Sequence, residues 1–235
     1  VSPTTVTQAS QQATPAPSAA RVRFALFALA LGGFGIGTTE FVAMGLLPQI
    51  AGELLPQVYA TSPDDAIAQA GVVIGAYALG VVVGAPTIAV FAARKPRRSI
   101  LVMLGIVFTL GTVASALAPN FALVVVFRFV AALPHGAYFG IASLVAASLM
   151  GKGKRGQGVA LVLSGLTVAN VIGVPLITLL GQHAGWRAAY LVVAGIFAAS
   201  VVAIRVTVPR LPGDAQATPR RELGAFTKPQ SGLPC

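Results

Sequence analysis

Two ionisable side chains stand alone inside long apolar runs: Glu40 in GIGTTEFVAMGLLP and Arg128 in VVVFRFVAALPHGAYFG. Placing either within a bilayer costs about 2.5–3.5 kcal/mol, so such groups ordinarily face a bundle interior and work there. Desolvation disfavours the charge on the Glu40 carboxylate, which makes it a candidate proton carrier or a partner for a cationic substrate. The plainer alternative is an acid held by polar groups of a neighbouring helix for packing alone. Arg128 comes seven residues after Phe121, roughly 10 Å into its run at the helical rise. It either snorkels back to the outer interface or faces a cavity shared with Glu40. His135 follows seven residues later, two turns on and on a similar face. Imidazole changes charge near neutral pH, so a proton relay is one reading. A hydrogen-bonded structural residue at a kink between Pro134 and Gly136 is the other.

A later apolar run, SGLTVANVIGVPLITLLG, carries Gly165, Asn170, Gly173, Pro175 and Gly181. Pro175 removes a backbone donor and invites a kink. Asn170 is a candidate for interhelical glue or for a substrate contact. The pairs Gly33 and Gly37, Gly71 and Gly75, and Gly80 and Gly84 fit small-xxx-small helix seams. Enzyme chemistry is not legible. With two histidines and a single cysteine, Cys235, there is no metal-ligand spacing and no disulfide framework. The run GKGKRGQG is glycine-rich but lacks the spacing of a phosphate loop. An intramembrane serine protease is also excluded, since the one Ser-Gly pair in a span is Ser164-Gly165 and His183 falls in a short external loop. Neither a cofactor nor a metal is expected.

These residues need elements to position them, and composition says which. The 235 residues are 56% hydrophobic and 9% charged, with a mean hydropathy of +0.83. An ordinary soluble domain carries about 25% charged residues. The chain is therefore expected to be an all-α membrane protein. At about 20 apolar residues per span, six transmembrane helices are predicted: Phe24–Pro48, Gly71–Ala92, Ile100–Ala118, Ala122–Met150, Val159–Gly181 and Ala188–Val208. The fourth is long enough to tilt or to project past the bilayer. Between them lie a turn at Pro63-Asp64-Asp65, a charged hairpin from Arg94 to Arg98, a tight turn at Pro119-Asn120 and a basic loop from Gly151 to Gly156. The predicted organisation is a disordered cytoplasmic tail over 1–23, a six-helix domain over 24–208, and a second cytoplasmic tail over 209–235.

The net charge of +10 follows the loops. Arg21 and Arg23, Arg94 to Arg98, Lys152 to Arg155, and the basic residues from Arg205 onward all fall on one side of a six-span chain. Arg187 stands alone on the other, with Glu53, Asp64 and Asp65. Such asymmetry reads as membrane topology with both termini cytoplasmic, and nucleic acid is not an expected partner.

GTTEFVAMGLLP, YALGVVVGAP, ARKPRR, RFVAALPHGAYFG and GWRAAY, taken together and in this order, resemble the major facilitator superfamily. More narrowly, they resemble its bacterial drug:proton antiporter branch of arabinose-efflux-like and purine-exporter-like permeases. The resemblance covers about Phe24 to Val208 and only the N-terminal half of such a transporter. It implies a multi-pass protein of the bacterial inner membrane that exchanges protons for a drug, sugar or nucleobase-like molecule by alternating access. It also implies roles: Glu40, Arg128 and His135 in proton coupling, Arg94, Arg97 and Arg98 in a cytoplasmic gating motif, and Gly165, Asn170, Gly173 and Pro175 in an antiporter motif. The gating motif's usual acid falls here at Ala93 and its second glycine at Pro96. The chain stops after SGLPC, where a central loop leading to a seventh helix is expected. A fragment needing its C-terminal half, two copies pairing, or a half that assembles without transporting are the readings this leaves.

Overall fold

The computed structural model describes residues 18–92 and 95–211. Among the described residues, six helices are long and apolar enough to cross a membrane. A helix pairs most of its backbone polar groups internally, which is what a hydrocarbon solvent demands. In chain order the elements are α1 (Ala19–Leu54), α2 (Pro56–Thr61), α3 (Pro63–Ala70), α4 (Val72–Ala92), α5 (Arg97–Leu117), α6 (Phe121–Ala132), α7 (His135–Met150), α8 (Arg155–Val168), α9 (Val174–Ala184) and α10 (Trp186–Thr207), with a π turn at Ala169–Gly173 joining α8 to α9. Spans one to six are α1, α3–α4, α5, α6–α7, α8–α9 and α10.

The predicted spans are all present, with altered ends. α1 begins at Ala19, where the Ser18 hydroxyl accepts from the Arg21 N–H at 3.4 Å, so residues 19–23 are helix and not tail. It also runs through Pro48 to Leu54. Pro63-Asp64-Asp65 is the first turn of α3 instead of a loop turn. Ser62 caps it, accepting from the Asp65 N–H, and two carboxylates suit the positive end of the helix dipole. The long fourth span is broken in two at Leu133–Pro134, because proline supplies no amide hydrogen to continue the ladder. Asn120 caps its start by accepting from the Leu123 N–H at 3.0 Å. A single residue, Gly185, turns α9 into α10 at φ +90°, a conformation open to glycine at little cost.

α1 lies at the centre, packed against α8, α9 and α10, while α4 packs on α6 and α7, and α5 on α6 and α10. The core holds Trp186, Tyr138, Phe108 and Phe197, the last two stacked at 4.7 Å. Tyr138 donates to the Leu29 carbonyl at 2.9 Å and Ser200 to that of Ala28 at 3.1 Å, tying spans four and six to the first.

The glycine seams differ among themselves. A methyl group at Gly33 or Gly37 would meet Val162, Leu166 or Ala169 of span five, and one at Gly80 or Gly84 would collide with the backbone of Phe129 or Leu133. Gly71 and Gly75 form no seam: Gly71 meets only its own preceding turn, and nothing described lies within 4 Å of Gly75. The pattern allows two helices to approach closely, but another helix has to be on that face.

Candidate functional site

Arg128 projects from α6 into the middle of the bundle and is 1% exposed. This excludes the snorkelling alternative. Its two terminal nitrogens donate to Thr39 on α1, one to the hydroxyl at 3.0 Å and one to the carbonyl at 2.9 Å. The guanidinium plane lies 4.4 Å from the ring centre of Tyr77 on α4 and 5.3 Å from that of Tyr190 on α10. Four spans thus converge on one cation. Neutral oxygens and two π faces compensate its charge; each such face contributes of order 1–2 kcal/mol when desolvated.

No carboxylate lies within 4.0 Å of it, since among the described residues the one ion pair at that distance is Glu53–Arg187. Two polar atoms in this region are buried without a hydrogen-bond partner, Arg128 Nε and the Tyr190 hydroxyl. Interiors seldom leave such groups unpaired, and an ordered water or a partner in another state satisfies them. Glu40, next in sequence to the residue that holds the arginine, is half-buried.

His135 opens α7 just past the break in span four. The break ends the simple two-turn register with Arg128, yet the two residues meet through a common neighbour. The Tyr77 hydroxyl and His135 Nδ1 share a hydrogen bond at 3.3 Å, while the Tyr77 ring faces Arg128. Phe139 packs against the imidazole at 5.5 Å. Glu40, Arg128 and His135 therefore belong to one neighbourhood, bridged by Thr39 and Tyr77.

The other predicted residues lie elsewhere. Arg97 and Arg98 start α5; the Arg97 N–H donates to the Leu211 carbonyl at 3.1 Å and Arg98 Nη1 to that of Val208 at 3.4 Å. Arg94 lies outside the described residues. Gly165 and Gly173 are buried against α1, where a methyl group at the first would strike the Ala30 carbonyl and at the second Thr38 and Phe34. Asn170 is exposed and donates back to the Leu166 carbonyl of its own helix at 3.0 Å, so it joins no neighbouring helix. Pro175 follows the π turn, in which the Val174 N–H reaches the Ala169 carbonyl. The extra residue relieves the clash that a proline ring makes with the preceding turn.

Three members went unrecognised in the sequence: Thr39, Tyr77 and Tyr190. The available signal was a hydroxyl beside Glu40 and tyrosines in otherwise aliphatic spans, whose O–H groups need partners when buried. At the far end of α1 a second polar cluster forms. Glu53 accepts from Trp186 Nε1 at 2.6 Å and Arg187 Nε at 2.8 Å, and Arg187 Nη1 also donates to the Ala116 and Ala118 carbonyls that end the third span. Among the described residues no group of three His, Cys, Asp or Glu side chains could hold a metal ion.

A family model described as Major Facilitator Superfamily matches residues 29–232. The chain is 42% identical over 210 residues to the inner membrane transport protein YdhP of Escherichia coli K12, covering 89% of this chain and 52% of that protein. It is 35% identical over 208 residues to the putative transporter AraJ of the same strain, covering 88% and 50% of the two. A chloramphenicol resistance protein of Streptomyces lividans is 35% identical over 209 residues, covering 87% and 51%. The chain spans about half the length of the curated relatives it matches.

Proposed function

The chain belongs to the major facilitator superfamily, and from that premise we propose that it is the N-terminal half of a proton-coupled exporter of small molecules in a bacterial inner membrane. The observation that carries this reading is a buried guanidinium with no carboxylate partner and an unpaired Nε among the described residues, beside a half-buried glutamate. Glu40 takes up a proton from the outer side, and its carboxylate competes with neutral Thr39 for Arg128 whenever the proton leaves. The exchange moves α1 against α6, and through Tyr77 and Tyr190 it reaches α4 and α10. His135 senses the same event by its bond to Tyr77. A second six-helix unit faces this one, and the two rock around a midplane site. One charge moving down the membrane potential supplies about 2.3 kcal/mol per 100 mV. The names of the relatives support transport and, for one, drug resistance; drug, sugar and nucleobase-like substrates all suit the reading.

The test is export from vesicles carrying this six-helix unit together with its C-terminal counterpart, driven by an imposed proton gradient. Glu40→Gln is expected to abolish gradient-driven export while the protein still inserts. Undiminished export by that variant would sink the role assigned to Glu40. The same assay on the 235-residue chain alone separates a half that transports as a pair from one that only assembles.

A further inference from the structure

Where α5 begins and α10 ends, a cavity of about 530 Å³ is lined by Arg98, Ser99, Val102, Arg205, Arg210 and Leu211. Three guanidiniums border it, and among the described residues no carboxylate lies within 4.0 Å of any of them. Arg98 uses one donor on the Val208 carbonyl at 3.4 Å, whereas Arg205 and Arg210 make no hydrogen bond to another described residue through their side chains. Arg98 and Ser99 belong to the first turn of α5, whose N–H groups lack intrahelical acceptors and whose dipole favours an anion. The lining is thus cationic, with Val102 and Leu211 adding apolar surface.

Helical spacing continues this lining along the spans. Met103 and Ile106 on α5, and Val202 on α10, are exposed apolar side chains one or two turns from Ser99 and Arg205. The two helices pack on each other. We propose that the pocket binds the headgroup phosphate of an anionic phospholipid, whose acyl chains lie along the exposed faces of α5 and α10. A free phosphate offers the same oxyanion chemistry. The lipid is favoured because the pocket sits at the end of two membrane spans and runs into apolar surface that a free anion would not use. Basic pockets between helices at a headgroup layer are suited to such lipids. The site needs neither transport nor a particular leaflet, so it stands apart from the exporter reading.

The experiment is native mass spectrometry of the intact 235-residue chain in detergent, titrated with phosphatidylglycerol, phosphatidylcholine of the same acyl chains, or inorganic phosphate. Phosphatidylglycerol should bind in preference to phosphatidylcholine and survive millimolar phosphate. Arg98→Gln and Arg205→Gln should each weaken it about fivefold, and together about 25-fold, at the usual strength of a basic residue near a headgroup. Lys152→Gln with Arg155→Gln removes the same charge from the loop before α8 and its first residue, and should leave binding unchanged. Equal binding of the two lipids, or equal loss in both double variants, would overturn the site. Displacement by inorganic phosphate would assign it to a free anion. Arg205→Gln alone guards against misfolding, since that side chain is exposed.

Discussion

Arg128 is buried among neutral groups, and the Thr39 hydroxyl and carbonyl accept its two hydrogen bonds. Thr39, Tyr77 and Tyr190 are neutral, so removing the cation orphans no charge among the groups that touch it, although Glu40 beside them loses a nearby cation. Replacing a buried ionic group together with its partners by apolar side chains is often neutral or stabilising, whereas orphaning a buried acceptor costs about 1–3 kcal/mol. Arg128→Met is therefore expected to lower unfolding stability in detergent by no more than about 1–3 kcal/mol while eliminating gradient-driven export by the complete transporter. A large loss of stability with export retained would make the arginine a structural strut. The sequence exposed Arg128 and Glu40 because a charge in an apolar run is costly and therefore conspicuous. It did not expose Thr39, Tyr77 or Tyr190, because a hydroxyl or an aromatic ring in a span is ordinary packing until helices from distant parts of the chain meet. Residues 39 and 128, like 77 and 135, are joined only in three dimensions.

Helices were legible to the extent that their causes are local. Six apolar runs and the turn signals between them give the number of spans, since length and hydropathy alone decide whether a helix can cross a bilayer. Their interruptions depend on how a helix answers a missing amide: by breaking at Pro134, by inserting a π turn before Pro175, or by continuing through Pro48. The glycine pattern shows the same limit within one element. Gly75 and Gly84 sit in the same kind of motif on the second span, but Leu133 backbone fills the space beside Gly84 and nothing described lies beside Gly75. Gly84→Ala should force the fourth span away and destabilise the bundle by about 1–3 kcal/mol. Gly75→Ala should be neutral, or stabilise by up to about 1 kcal/mol through helix propensity. Thermal unfolding in detergent distinguishes the two, and equal effects would mean that the α4–α6 approach is not as close as described.

On the scale of the whole molecule, the two ends of the bundle are chemically unlike. One end gathers Glu53, Asp64 and Asp65, with Arg187 held by Glu53 and by the carbonyls that close the third span. The other gathers Arg21, Arg98, Arg205 and Arg210, where Arg21 and Arg98 donate to carbonyls at the end of α10. The tertiary structure thus brings together what the loop charges had already sorted in the sequence. Inner-membrane insertion retains basic loops on the cytoplasmic side, so the arginine-rich end is proposed to face the cytoplasm. The chain has one cysteine, Cys235, which makes a direct test straightforward. In a Cys235→Ser background, Asp64→Cys should react with a membrane-impermeant maleimide in intact spheroplasts, because Asp64 lies in the exposed first turn of α3. Lys152→Cys, in the exposed loop between α7 and α8, should react only after lysis. The opposite pattern would invert the orientation, and the proton entry assigned to the outer side of Glu40 would then have to be assigned to the other end of the bundle.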